Sequence, residues 1–173
     1  LKNRDKGLAN EVIEGDKKID EIENKVDDSA VKLLAIRQPV ADELRFVITA
    51  VKINTDLERI ADLAVNICQR VITISDEPLL KPLIDIPKLS EAARVMIRKA
   101  IDSFINRNEE LAKEVILSDP EINRLKNAIQ DELINDYMAK DPATVPRAVQ
   151  LLLVARHLER MCDHSTNIAE DVI

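Results

Sequence analysis

A chain of 173 residues suffices for one ordinary domain or two small ones. With 2 Gly, no Trp and only Phe46, Phe104 and Tyr137 as aromatics, it lacks the turn and pairing residues of a β-sheet, so an all-α fold is expected. A net charge of −7 excludes a nucleic-acid binder that works by neutralising phosphates, and leaves cations and basic protein surfaces as partners.

In chain order, Leu8, Val12, Ile19, Ile22, Val26, Leu33 and Ile36 recur at helical spacing. Gly15 before Asp16 predicts a helix stop followed by an N-cap, giving helices that run to 14, then over 16–36 and 39–75. The longest apolar stripe is Ala50, Ile53, Leu57, Ile60, Ala64, Ile67, Val71 and Ile74, spaced like the seam of an antiparallel bundle. The segment "SDEPLLKPLIDIPK" (75–88) contains three prolines and no helical period, which predicts a linker at 76–87.

Beyond it the pattern returns. Leu151, Val154, Leu158, Met161, Ser165, Ile168 and Val172 repeat the long stripe, and "DPEIN" (119–123) lies opposite "DKKID" (16–20) in a register two residues different. Asp119-Pro120 reads as an N-cap followed by the first helical position, so helices are expected near 88–117, 119–139 and 142–173. The prediction is two tandem three-helix bundles, 1–75 and 88–173. A helix starting at 88 maps ahead of residue 1 in the repeat register, so the first helix is expected to be truncated and the chain to be a fragment trimmed at its front. No stretch approaches the ~18 apolar residues of a membrane span, so no membrane insertion is expected. The two cysteines, Cys68 and Cys162, lack CxxC spacing and favour a reducing, cytoplasmic setting.

The most telling repeat is L-E-R-x-x-D-x-x-x-N-I, present in "DLERIADLAVNI" (56–67) and in "HLERMCDHSTNI" (157–168). With Ala50 at heptad position a and Ile53 at d, Glu58 and Asp62 fall at b and f, on the face expected to point away from the core. Glu159 and Asp163 occupy the same two positions. Carboxylates four apart stack on one helix face and repel by ~0.2–0.5 kcal/mol, a sign that a bound cation would reverse. Asn66 and Asn167 extend each stripe by a turn. Such oxygens suit hard cations and can also hold zinc. Asp16 and Asp20 form a further four-spaced pair on the neighbouring helix, and the second half offers Asp119 with Asn123. The alternative stays open: four-spaced acids also mark an ordinary solvated face, and Asp16 and Asp119 are also candidate N-caps. His157 and His164 lie at position g, on the opposite flank, where a surface or interface role is expected. Arg59 and Arg160 could pair with an acid or a phosphate on a partner.

Together with "GDKKIDEIE" and "LLAIRQPVADELRFVITAVKI", these strings resemble the PhoU family over nearly the whole chain. The resemblance implies a cytoplasmic, often dimeric accessory protein, not an enzyme. It further implies negative regulation of the phosphate-starvation response, through the ATPase subunit of the phosphate ABC transporter and the phosphate sensor histidine kinase. It also implies multinuclear iron or zinc sites on Asp16, Asp20, Glu58 and Asp62 in one half and Asp119, Glu159 and Asp163 in the other. Asn123 departs from that pattern where an acid is usual. Three other readings compete: a metal-free helical scaffold, a PhoU-like domain of a larger transporter or regulator, and a di-metal carboxylate oxidase. The last needs Glu-x-x-His motifs, whereas Ala61 and Cys162 stand three residues after Glu58 and Glu159.

Overall fold

Two side-chain caps set the register of the molecule. Asp5 Oδ1 accepts the backbone N–H of Leu8 at 2.9 Å, and Asn108 Oδ1 accepts that of Leu111 at 3.1 Å. The helices they open begin at the same place in the two repeats. The computed structural model describes residue 1 and residues 3–173, and among these there are five long helices and no strand. They are α1 (Lys6–Arg37), α2 (Asp42–Ile74), α3 (Asp85–Asn106), α4 (Glu109–Glu132) and α5 (Val145–Val172). A π-helical turn, Leu133–Met138, extends α4, and a 3₁₀ turn, Pro142–Thr144, leads into α5. Gln38 (φ 48°) and Arg107 (φ 50°) close α1 and α3 in the left-handed region.

The tandem-bundle architecture follows from which helices touch. In the second half α3, α4 and α5 pack on one another; in the first half α1 packs on α2 alone, and α2 then packs on α5. Across that central seam Lys52 meets Asp171, Asp56 meets His164 and Arg70 meets Gln150, so α2 and α5 run antiparallel. Ile53 and Ile60 of α2 join the core of the second half. Phe46 of α2 stacks on Phe104 of α3 at 5.1 Å, with the Arg107 guanidinium 4.8 Å above the Phe46 ring. The connection between halves is held by Lys81, which is buried and pairs with Glu132 and Asp85.

Two expected breaks are absent. α1 runs straight through Gly15, which is exposed and has open space where a Cβ would sit. One glycine costs a helix only ~1 kcal/mol, too little to end one that packing holds. α4 likewise runs through Asp119 and Pro120, although Pro120 has no N–H for the carbonyl of Ile116. Asp16 and Asp119 are therefore mid-helix residues and not N-caps. Among the described residues the first half supplies two helices, the counterparts of α4 and α5.

Candidate metal centre

The apolar seam of α2 and α5 places Glu58 and Glu159 beside it, and a third helix closes over each. Both carboxylates are sheltered, at 18% and 19% side-chain exposure. This corrects the expectation that position b faces outward: in a bundle each helix has neighbours on two sides, and the flank beside the seam faces the second one. Over Glu58 that neighbour is α1; over Glu159 it is α4. The acids of each half thus line the groove between the two helices of one repeat.

In the first half, Asp16 is half-buried on α1 and Asp20 exposed, while Glu58 and Asp62 approach from α2. Burial pushes the Asp16 carboxyl above its usual range, and Asp20 and Asp62 push it further. The Glu58 carboxyl is also raised, by burial first and then by Asp62, with Glu23 and Asp20 adding to it and Arg59 opposing. Asp16 is thus within reach of Asp20 and Asp62, and Glu58 within reach of Asp62 and Asp20. Arg59 lies 3.5 Å from Glu58 and 3.4 Å from Asp62 on its own helix, with its side chain 57% exposed. Asn66 donates its Nδ2 to the backbone carbonyl of Asp62 at 2.9 Å, which leaves its amide oxygen free.

The second half holds Asp119, Glu159 and Asp163 in the matching groove. Burial raises the Asp163 carboxyl, with Glu159 and Asp119 adding to it. Cys162, sealed beneath them, is pushed up to about 12, by burial first and by the same acids after it, which makes it an inert thiol. Two contacts have no counterpart in the first half. Asn123 donates its Nδ2 to Asp119 at 2.8 Å, and Lys126 Nζ lies 3.0 Å from Glu159. Asn167 turns away from this groove toward Asp56, at 3.5 Å.

Spacing arguments missed Glu23 and Lys126. Each follows its Asp20 or Asn123 by three residues on the same helical face, a signal present in the sequence. His164 Nδ1 lies 2.8 Å from Asp56 Oδ1 across the α2–α5 seam. His157 sits among Arg70, Arg156 and Arg160; burial, then those charges, lower its pKa and favour the neutral imidazole.

Among the described residues no group of three or more His, Cys, Asp or Glu side chains is placed so that it could hold a metal ion. The chemistry of the donors still separates the halves. The first stripe gathers four acids with the exposed Arg59 guanidinium beside Glu58 and Asp62, and its Asp16 and Glu58 carboxyls are raised by burial first and by neighbouring acids second. The second stripe already contains an ammonium.

The whole chain resembles known proteins. A family model described as "PhoU domain" matches residues 1–71 and 86–172. A phosphate-specific transport system accessory protein PhoU homolog from Aquifex aeolicus is 40% identical over 153 residues, which is 88% of this chain and 69% of that relative. The crystal structure of PhoU from Pseudomonas aeruginosa superposes with a TM-score of 0.95 at 34% identity, covering 100% of this chain and 83% of that one. The crystal structure of the phosphate transport system regulatory protein PhoU from Streptococcus pneumoniae gives a TM-score of 0.90 at 25% identity, covering 98% and 79%.

Proposed function

The chain belongs to the PhoU domain family, and from that premise we propose that it is an accessory protein of phosphate transport that acts by docking, with a metal ion on its first acidic stripe. The family is one of accessory proteins and not of enzymes. No helix among the described residues is long and apolar enough to cross a membrane. In this reading the protein sits on the cytoplasmic side of the phosphate ABC transporter, contacts its ATPase subunit and the phosphate sensor histidine kinase, and dampens the phosphate-starvation response. It forms homodimers, as the resemblance implies.

The observation that carries the metal reading is the nearness of Asp16, Asp20, Glu58 and Asp62 to one another between α1 and α2, with the exposed Arg59 guanidinium beside them. Iron or zinc bound there, as one ion or several, would relieve their repulsion and tie α1 to α2. It would turn a repulsive groove into a fixed surface for a partner.

The test pairs two measurements. Elemental analysis of the purified chain and of Glu58→Ala/Asp62→Ala should show iron or zinc in the first and its loss in the second. Binding to the transporter's ATPase subunit, followed by biolayer interferometry, should weaken in that variant and on adding chelator. Unchanged metal content in the variant removes the metal reading. Binding insensitive to both treatments detaches the metal from docking.

A further inference from the structure

The two stripes descend from one pattern but differ in charge at two aligned places. In the register that pairs Asp16 with Asp119, Asn123 stands at the place of Asp20 and Lys126 at the place of Glu23. Both changes remove an acid, and the second adds a cation. Arg59 and Arg160 stand at equivalent places, and Arg59 lies 3.5 Å from Glu58 and 3.4 Å from Asp62 with its side chain 57% exposed, so the first stripe also has a cation beside it, but a solvated one.

The Lys126 stem lies in the groove between α4 and α5, at 19% exposure, and its Nζ stands 3.0 Å from a Glu159 oxygen that is equally sheltered. Asp119, the other α4 acid of the stripe, accepts the Asn123 amide. In the first half the place of the ammonium is taken by Glu23, whose backbone carbonyl accepts from Asn54 at 3.0 Å. Its carboxylate is a like charge facing Glu58.

We infer that Lys126 is the resident cation of the second acidic stripe: its ammonium takes the position from which a metal ion would engage Glu159, so that ion binding is confined to the first half. This departs from the two-site pattern that the family resemblance implies, and it builds on the reading of the first stripe as an ion-binding face. A metal ion approaching Glu159 must displace a sheltered ammonium at 3.0 Å, whereas one approaching Glu58 meets an exposed guanidinium at 3.5 Å that solvent already screens. The second groove has its own ion pair between α4 and α5, while α1 and α2 are joined near their stripe by Asn54, which donates to the Glu23 carbonyl and to Asp27. An ion would add a further tie in the first half alone.

The test uses the full chain dialysed against Zn²⁺, with metal per chain read by elemental analysis and helicity by circular dichroism. Metal content of the unmodified chain should not change on Glu159→Ala. Lys126→Glu, which gives the second stripe the acid that the first has at Glu23, should gain metal with an apparent affinity ~10-fold tighter or more, and adding Glu159→Ala should abolish the gain. Lys126→Gln, which removes the charge with less disturbance, should gain metal more weakly and decides the matter if Lys126→Glu loses helicity. Loss of metal on Glu159→Ala in the unmodified chain overturns the inference, as does a folded Lys126 variant that gains none. A chain without metal in either half, joined to a Lys126→Glu variant that binds it, would leave the blocking role of Lys126 standing and remove the first-stripe reading together with ion binding in the first half.

Discussion

The two halves carry nearly the same apolar pattern and bury it differently. Val115 and Ile122 of α4 are 0% and 2% exposed, while their counterparts Val12 and Ile19 of α1 are 38% and 41% exposed. Side-chain chemistry is identical at both pairs. The difference is the neighbour: α3 lies over α4, and among the described residues no helix lies over that face of α1. A groove of about 530 Å³ runs there instead, lined by Leu8, Val12, Ile67, Ile86 and Met161 among others. Burial is thus a property of the assembly of helices and not of the residue. The acidic stripes teach the same lesson in charge, since Glu159 has a sheltered ammonium from the neighbouring helix at 3.0 Å while Glu58 has at 3.5 Å an exposed guanidinium from its own helix.

The largest expected effect sharpens the packing contrast. Ile122→Ala should destabilise by ~2–5 kcal/mol, as cavity-forming substitutions in a full core do, while Ile19→Ala should cost under ~1 kcal/mol. Urea unfolding of the two variants measures both, and equal losses would mean that α1 is covered as α4 is. A smaller effect, of the opposite sign, is expected at Gly15. Its counterpart in α4 is Ser118, and the open space around it lets Gly15→Ala raise stability by ~0.5–1 kcal/mol. A decrease in the same unfolding assay would reinstate the helix stop.

The smallest effect concerns the stripes. The Glu58 carboxyl is raised in the folded state, so the folded chain holds its proton to higher pH than the unfolded chain does. The metal-free protein therefore loses stability as pH rises from the unfolded pKa of 4.5 through the raised folded value, and the penalty is fully present at neutral pH. Glu58→Gln in chelator should accordingly stabilise at pH 7 by ~0.2–0.5 kcal/mol, with the gain vanishing on acidification below that window. Glu159→Gln, which breaks the Lys126 pair, should destabilise at pH 7 instead. Thermal unfolding across pH reads both, and the same sign in the two variants would erase the contrast.

Much of this was legible in the residues, and the misreadings have physical causes. The apolar period located α2 and α5 to within a few residues, because a stripe every three to four residues must face something, but it split α1 in two and put the break between α3 and α4 at 118 instead of 107–108. Gly15 and Asp119-Pro120 suggested breaks that did not occur, since local propensity is worth about 1–3 kcal/mol and tertiary contacts override it. The true starts were written in Asp5-Lys6-Gly7-Leu8 and Asn108-Glu109-Glu110-Leu111, each a capping side chain whose acceptor meets the N–H three residues on.

What the sequence by itself determined is local and periodic: an all-α chain, a repeat in two registers, and two acidic stripes in equivalent places. Only the tertiary structure decided which apolar residues are buried, that Glu58 and Glu159 lie in grooves and not on the outer face, and that the Lys126 ammonium reaches Glu159. Those facts depend on separations between helices. Spacing along one helix shows which residues share a face, while the helix that packs against that face sets their burial and their charge.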